Sequence, residues 1–128
     1  MRTTHAAVWQ LAVLVPLAAC AGPGPWRQVD GTRIITITGR LEVLDMPAAG
    51  DVRLEVTPRP GDQHALAPGQ QRMICIVPAR NRNNLETQLL NLVVGKSVAV
   101  SGYWMARDET GGTRHYLADT TDIVPIDT

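Results

Sequence analysis

Apolar and polar residues alternate along three short segments of this chain, and a period of two is the pattern of a half-buried β-strand. One segment covers residues 33–44, the next residues 51–57 and the last residues 98–104. Gly39 lies in the middle of the first segment, and a glycine inside a strand allows the strand to coil or to bulge. The alternation therefore predicts curved strands that each bury one face. The residues predicted to face inward are Ile35, Ile37, Gly39, Leu41 and Val43 in the first segment, Val52, Leu54 and Val56 in the second, and Val98, Val100, Gly102 and Trp104 in the last.

Two further strands follow from different patterns. Residues 72–77 are apolar on both faces, which is typical of a central, covered strand. A last strand is expected from about His115 toward Ile126, after a turn over residues 108–113. These two segments bring the predicted number of strands to five.

A single helical pattern lies between the third and fourth predicted strands. Asn83 is in the N-cap position with Glu86 three residues later, and Gly95 ends the pattern. The prediction is one helix of about eleven residues with one apolar stripe. The stripe consists of Leu85, Leu89, Leu92 and Val93.

Three strands, one helix and two strands are the element order of the OB-fold, a five-stranded Greek-key barrel. Five short coiled strands can close a small barrel, and an amphipathic helix can cover its open end. The predicted fold is therefore all-β with one helix, as an OB-fold barrel over residues 33–128. An open α+β sandwich is the alternative fold.

The N-terminal residues have the pattern of an export signal. Arg2 precedes an apolar run over residues 6–19, which is shorter than the roughly 20 residues that span a bilayer as a helix. Leu17-Ala18-Ala19-Cys20 resembles the lipobox of bacterial lipoproteins. That resemblance implies removal of residues 1–19 and a diacylglyceryl group on the Cys20 sulfur. A plain signal peptide with an incidental Cys20 is the alternative.

The residues after the lipobox indicate in which membrane the protein is anchored and how the barrel is tethered to it. Ala21 stands where an aspartate would mark retention in the inner membrane, so the outer membrane, facing the periplasm, is the expected location. Residues 20–32 are rich in Gly and Pro and are predicted to be a flexible tether. Trp26 would rest either on the domain or on the membrane interface.

Three segments resemble exported bacterial OB-fold domains of the tRNA-anticodon-binding-like kind. They are Thr38-Gly39-Arg40-Leu41, residues 95–102 and Asp122-Ile123-Val124-Pro125-Ile126. Some such domains have histidines where this chain has Arg53 and Val124. The resemblance therefore implies the fold and carries over no activity.

The residues with reactive side chains do not form a recognisable motif. The three histidines, His5, His64 and His115, lack metal-ligand spacing, and Ser97 and Ser101 lie outside a nucleophile elbow. Cys75 is in the most apolar strand, where a thiol is usually a buried hydrophobe. We expect a protein that is not an enzyme, with no catalytic residue, metal or cofactor.

Binding is the remaining function, and two partner classes are open. Tyr103 and Tyr116 flank the loop between the fourth and fifth predicted strands, and an envelope protein or a glycan would contact them there. The alternative is single-stranded nucleic acid or another polyanion, bound through an arginine-bearing face. Nucleic acid is not expected, because the third strand has no aromatic residue for base stacking and 12 basic residues balance 12 acidic ones. The arginines of that face are Arg53, Arg72, Arg80 and Arg82.

Overall fold

The computed structural model describes residues 22–31 and 33–126, so Cys20 and the predicted signal lie outside the described residues. The strands are β1 (Arg27–Gln28), β2 (Ile34–Asp45), β3 (Val52–Pro58), β4 (Met73–Val77), β5 (Ser97–Glu109) and β6 (Gly112–Ile126). One short α-helix, α1 (Glu86–Leu90), lies between β4 and β5, and a 3-10 helix, Pro60–Ala65, follows β3. Within the described residues, no helix is both long and apolar enough to span a bilayer.

Strands β2 to β6 form a closed barrel. Antiparallel pairing joins β2 to β3, β3 to β4, β5 to β6 and β2 to β5. Parallel pairing of β4 with β6 closes the ring, with Ile74 opposite Tyr116. This is an OB-fold-like barrel, so the predicted fold class is confirmed and the open sandwich is excluded.

The core is filled by the inward residues of the strands, because alternate side chains of a strand face the same side. All the predicted inward residues of β3 are buried, as are Ile37 and Leu41 of β2. One inward residue of β2 was wrongly predicted. The pairing of β2 with β3 shifts between Leu41 and Val43, and this bulge brings Leu44, rather than Val43, against the core.

The helix is shorter than predicted. Asn83 begins a 3-10 turn without a side-chain cap, and α1 contains five residues. Leu85, Leu89 and Leu92 are buried as expected. Val93, however, is 55% exposed, because the chain turns back after the helix and the Gly95 amide donates to the Leu41 carbonyl of β2.

Part of the predicted tether is folded onto the barrel. Arg27 and Gln28 pair with Ala106 and Met105 of β5, and the Gly24 amide donates to the Asp108 carbonyl at 2.8 Å. The turn between β5 and β6 is also shorter than predicted, since only residues 110–111 separate the two strands. The N-terminal segment is therefore attached along β5 up to this hairpin.

Candidate functional site

A groove of about 640 Å³ runs over the outer surface of β4, β5 and β6. Its lining includes the apolar residues Ile76, Met105 and Ala118 together with Tyr103. We call this feature the aromatic groove. Its lining consists of Trp26, Gln28, Asp51, Ile76, Pro78, Arg80, Tyr103, Met105, Arg107, Ala118 and Asp119.

The alternation of β5 places its side chains on the two faces of the barrel wall. Trp104 packs against the core, and its indole Nε1 donates to the Ala65 carbonyl at 3.0 Å. Tyr103 and Met105, on either side of it, therefore face outward and line the groove. Trp104 is a core residue, as the sequence predicted, and Tyr103 remains available at the surface.

Trp26 lines the aromatic groove next to Arg107. The Arg107 guanidinium lies 4.2 Å from the centre of the Trp26 ring, a cation–π contact. Trp26 stays 38% exposed, so part of its ring is open to a ligand. Arg80 and Asp119 also line the groove, and they form an ion pair with an N···O distance of 2.8 Å.

Tyr116 was predicted as a surface contact, and the structure contradicts this. Its side chain points out of the barrel, but Trp26 covers it with ring centroids 4.9 Å apart, which leaves Tyr116 3% exposed. The Tyr116 hydroxyl donates to the Glu109 carboxylate. Burial, followed by this hydrogen bond, raises the pKa of Tyr116 to about 12. Tyr116 therefore lies beneath Trp26 and supports its ring.

The four predicted arginines do not share one surface. Arg53 and Arg72 both pair with Glu55, at 3.3 and 3.4 Å. Arg80 lines the aromatic groove, whereas Arg82 donates to the carbonyl of Gly50 in the loop between β2 and β3. Of these predicted site residues, the structure brings together only Arg80 and Tyr103 in the groove.

Among the groove residues that the sequence analysis did not predict as site residues are Trp26, whose position it left open, and Arg107. Trp26 lies in a segment without periodicity, so no local pattern indicated its contact with β6. The position of Arg107 could have been predicted, because Tyr103, Met105 and Arg107 occupy alternate positions of one strand. That spacing alone places the three on the same face.

In the part of the chain that the structure describes, the cysteine and histidine side chains and Asp108 lie outside the aromatic groove. Cys75 is fully buried, and burial raises the pKa of its thiol, which disfavours the nucleophilic thiolate. His64 and His115 flank the Trp104 ring, and His115 Nδ1 lies 2.9 Å from the Ala65 carbonyl. Hydrogen bonds from Arg27 and Thr113 hold the pKa of Asp108 below its usual value.

Metal-ligating residues are dispersed in the same way, since residues 22–31 and 33–126 contain no group of three or more His, Cys, Asp and Glu side chains placed to hold an ion. The arrangement of the aromatic groove offers stacking, apolar contact and one charge pair, which are the elements of a binding site. No family model and no curated protein matches this chain.

Proposed function

We propose that this chain is an exported bacterial lipoprotein whose barrel is a non-catalytic module that binds an envelope protein or a glycan. The anchor is Cys20, and the barrel faces the periplasm from the outer membrane. The observation that carries the binding role is the aromatic groove, which Trp26 and Tyr103 line together with apolar side chains.

The groove residues suit an uncharged or mixed ligand. Partly exposed aromatic rings bury a large area at small conformational cost and stack on sugar rings or apolar side chains. The Arg80–Asp119 pair adds one donor group and one acceptor group to the lining of the groove. A peptide segment or an oligosaccharide finds both kinds of contact here.

The positions of the arginines favour this ligand over a polyanion. A nucleic-acid site combines a basic track with stacking aromatic residues on one surface. Here Arg80 has Asp119 as its partner, and Arg53 and Arg72 lie outside the aromatic groove. The groove therefore supports the protein or glycan ligand.

Site-specific photo-crosslinking in living cells tests this function. The photoreactive residue p-benzoylphenylalanine replaces Tyr103 in the full chain, and a matched variant carries it at Val124, an exposed β6 residue outside the groove. We expect a discrete adduct from position 103 and none from position 124. Lysozyme sensitivity of the adduct distinguishes a cell-wall glycan from a protein. Adducts of equal yield at both positions, or none at position 103, would refute the binding role of the groove.

A further inference from the structure

A second outward surface, next to the hairpin of β5 and β6, carries more positive than negative charge. Arg53 and Arg72 share the Glu55 carboxylate, at 3.3 and 3.4 Å. Arg107 and Arg114 share the Glu109 carboxylate in the same way, at 3.4 and 3.5 Å. Four guanidinium groups thus face two carboxylates, a formal surplus of two positive charges. We call Arg53, Arg72, Arg107 and Arg114 the arginine face.

The strand register explains why these side chains are neighbours. Arg107 of β5 lies directly opposite Arg114 of β6. Ile74 of β4 is opposite Tyr116 of β6, and Arg72, directly before β4, and Arg114 each precede this pair by two residues and line one concavity with Glu55. The chain is neutral overall, and the surplus is local.

The guanidinium groups of this face retain unused donors. The side chains of Arg53 and Arg114 are 43% and 47% exposed. Arg107 Nε is buried and makes no hydrogen bond, although it lies 3.4 Å from a Glu109 oxygen. Because each arginine has five N–H donors and one shared carboxylate cannot satisfy two arginines, the face can accept a further anion.

The N-terminal segment borders this surface. A concavity of about 360 Å³ is lined by Gly22 and Pro23 together with Arg53, Arg107 and Arg114. An Arg27–Asp108 ion pair at 2.9 Å and the Gly24–Asp108 backbone hydrogen bond attach the segment to the hairpin. Gly22 is two residues from Cys20, a separation of at most about 7 Å along the chain.

We propose that the arginine face binds the phosphate of an anionic phospholipid headgroup beside the anchor and so holds the hairpin against the membrane. This inference rests on the proposed lipid attachment at Cys20, which places headgroups within reach of Gly22 and Pro23. The planar guanidinium fork matches the oxygens of a phosphodiester, and a surplus of positive charge favours an anionic lipid over a zwitterionic one. A nucleic acid has the same phosphate chemistry, but the Cys20 anchor favours the lipid.

Titration of the purified, lipidated chain in dodecyl maltoside micelles tests the proposal. Dihexanoylphosphatidylglycerol is added to a Trp104→Phe background, so that the fluorescence followed after removal of residues 1–19 is that of Trp26, which contacts Arg107. We expect saturable binding that is about tenfold weaker in Arg114→Gln and in Arg53→Gln, and unchanged in Arg33→Gln, a basic residue outside the face. Arg114→Lys keeps the charge but loses the fork, and we expect intermediate binding. Urea unfolding of each variant shows that the barrel is intact.

Three further ligands test whether the arginine face prefers an anionic lipid headgroup. Phosphatidylcholine of the same chain length should bind several-fold more weakly. Equal binding of both lipids, or equal binding by wild type and Arg114→Gln, would overturn the proposal. Inorganic phosphate binding as tightly as the lipid would assign the face to a free ion. Tighter binding of a twelve-nucleotide thymidine oligomer would assign it to nucleic acid.

The mass of the purified chain separates the two proposals. A chain without acyl groups on Cys20 refutes the proposed anchor. Loss of headgroup binding in a chain that is acylated refutes only the role of the arginine face.

Discussion

The rings of Trp26 and Tyr116 meet edge to face, with an interplanar angle of 89° and 4.9 Å between their centroids. This contact joins the segment before β1 to the last strand of the barrel. Arg107 packs on the Trp26 ring from β5. The N-terminal segment thus meets the β5–β6 hairpin, which is distant from it in sequence, beside the aromatic groove.

Replacement of Trp26 by alanine tests how firmly the N-terminal segment is attached. We expect Trp26→Ala to lower the free energy of unfolding by about 1 kcal/mol, since it removes an aromatic pair and a cation–π contact. Urea unfolding followed by circular dichroism measures this change. Leu90→Ala is the control, because Leu90 is 69% exposed and its truncation should change the free energy by less than about 0.5 kcal/mol. Equal effects of the two substitutions would show that the Trp26 contact contributes no stability.

Gly39 is required by the close approach of β2 and β3. A Cβ at this position would lie 2.1 Å from the Thr57 carbonyl oxygen and 2.8 Å from the Pro58 Cα, and both are backbone atoms with little freedom to move. We expect Gly39→Ala to destabilise the barrel by about 3 kcal/mol or to prevent folding. At Gly61 the nearest atom to an added Cβ is 4.0 Å away. Gly61→Ala should therefore leave the urea midpoint nearly unchanged, and a similar result for Gly39→Ala would contradict the strand packing described here.

The ionisation of Tyr116 gives a prediction about high pH. Burial and the Glu109 carboxylate disfavour its phenolate, so the pKa of Tyr116 in the folded chain is about 12, above its ordinary value of 10.0. The stabilisation from the neutral phenol is present in full below pH 10 and is lost as the pH rises toward 12. In Tyr103→Phe, Tyr116 is the single tyrosine, because the chain has two. Absorbance at the phenolate band should then show a midpoint near 12 in the folded chain, and a midpoint near 10 would mean that the ring is solvated.

The fold could be predicted because the period of the apolar residues determines which face of each strand is buried. Residues 51–57 alternate without interruption, and Val52, Leu54 and Val56 are all buried. The prediction was wrong at Val43, where a bulge after Leu41 changes the alternation. A bulge depends on the register with the partner strand, which the local pattern does not contain.

The helix shows a second limit of local patterns. Asn83 and Glu86 have the spacing of a capping box, but the structure has 3-10 turns there and an α-helix of five residues. Val93 was assigned to the apolar stripe by its spacing alone. The backbone hydrogen bond between Gly95 and Leu41 instead leads the chain into β5, and that contact joins residues far apart in sequence.

Two of the predicted site residues, Tyr103 and Arg80, line the aromatic groove. The outward orientation of Tyr103 follows from the alternation of β5, whereas Arg80 lies in a 3-10 turn after β4. Trp26 contacts a residue 90 positions later in the chain, and its segment has no periodicity, so the sequence left its position open. The burial of Tyr116 was missed for the same reason, because Trp26 is what covers it.

Lipid attachment at Cys20 underlies both the proposed location and the role of the arginine face, and labelling with radioactive palmitate measures it directly. The chain has two cysteines, so Cys20→Ala and Cys75→Ala form a matched pair for expression in a bacterium that acylates lipoproteins. We predict that label enters the wild-type chain and Cys75→Ala and is absent from Cys20→Ala. Label that persists in Cys20→Ala, or an unlabelled wild-type chain, would contradict a lipid anchor at this residue.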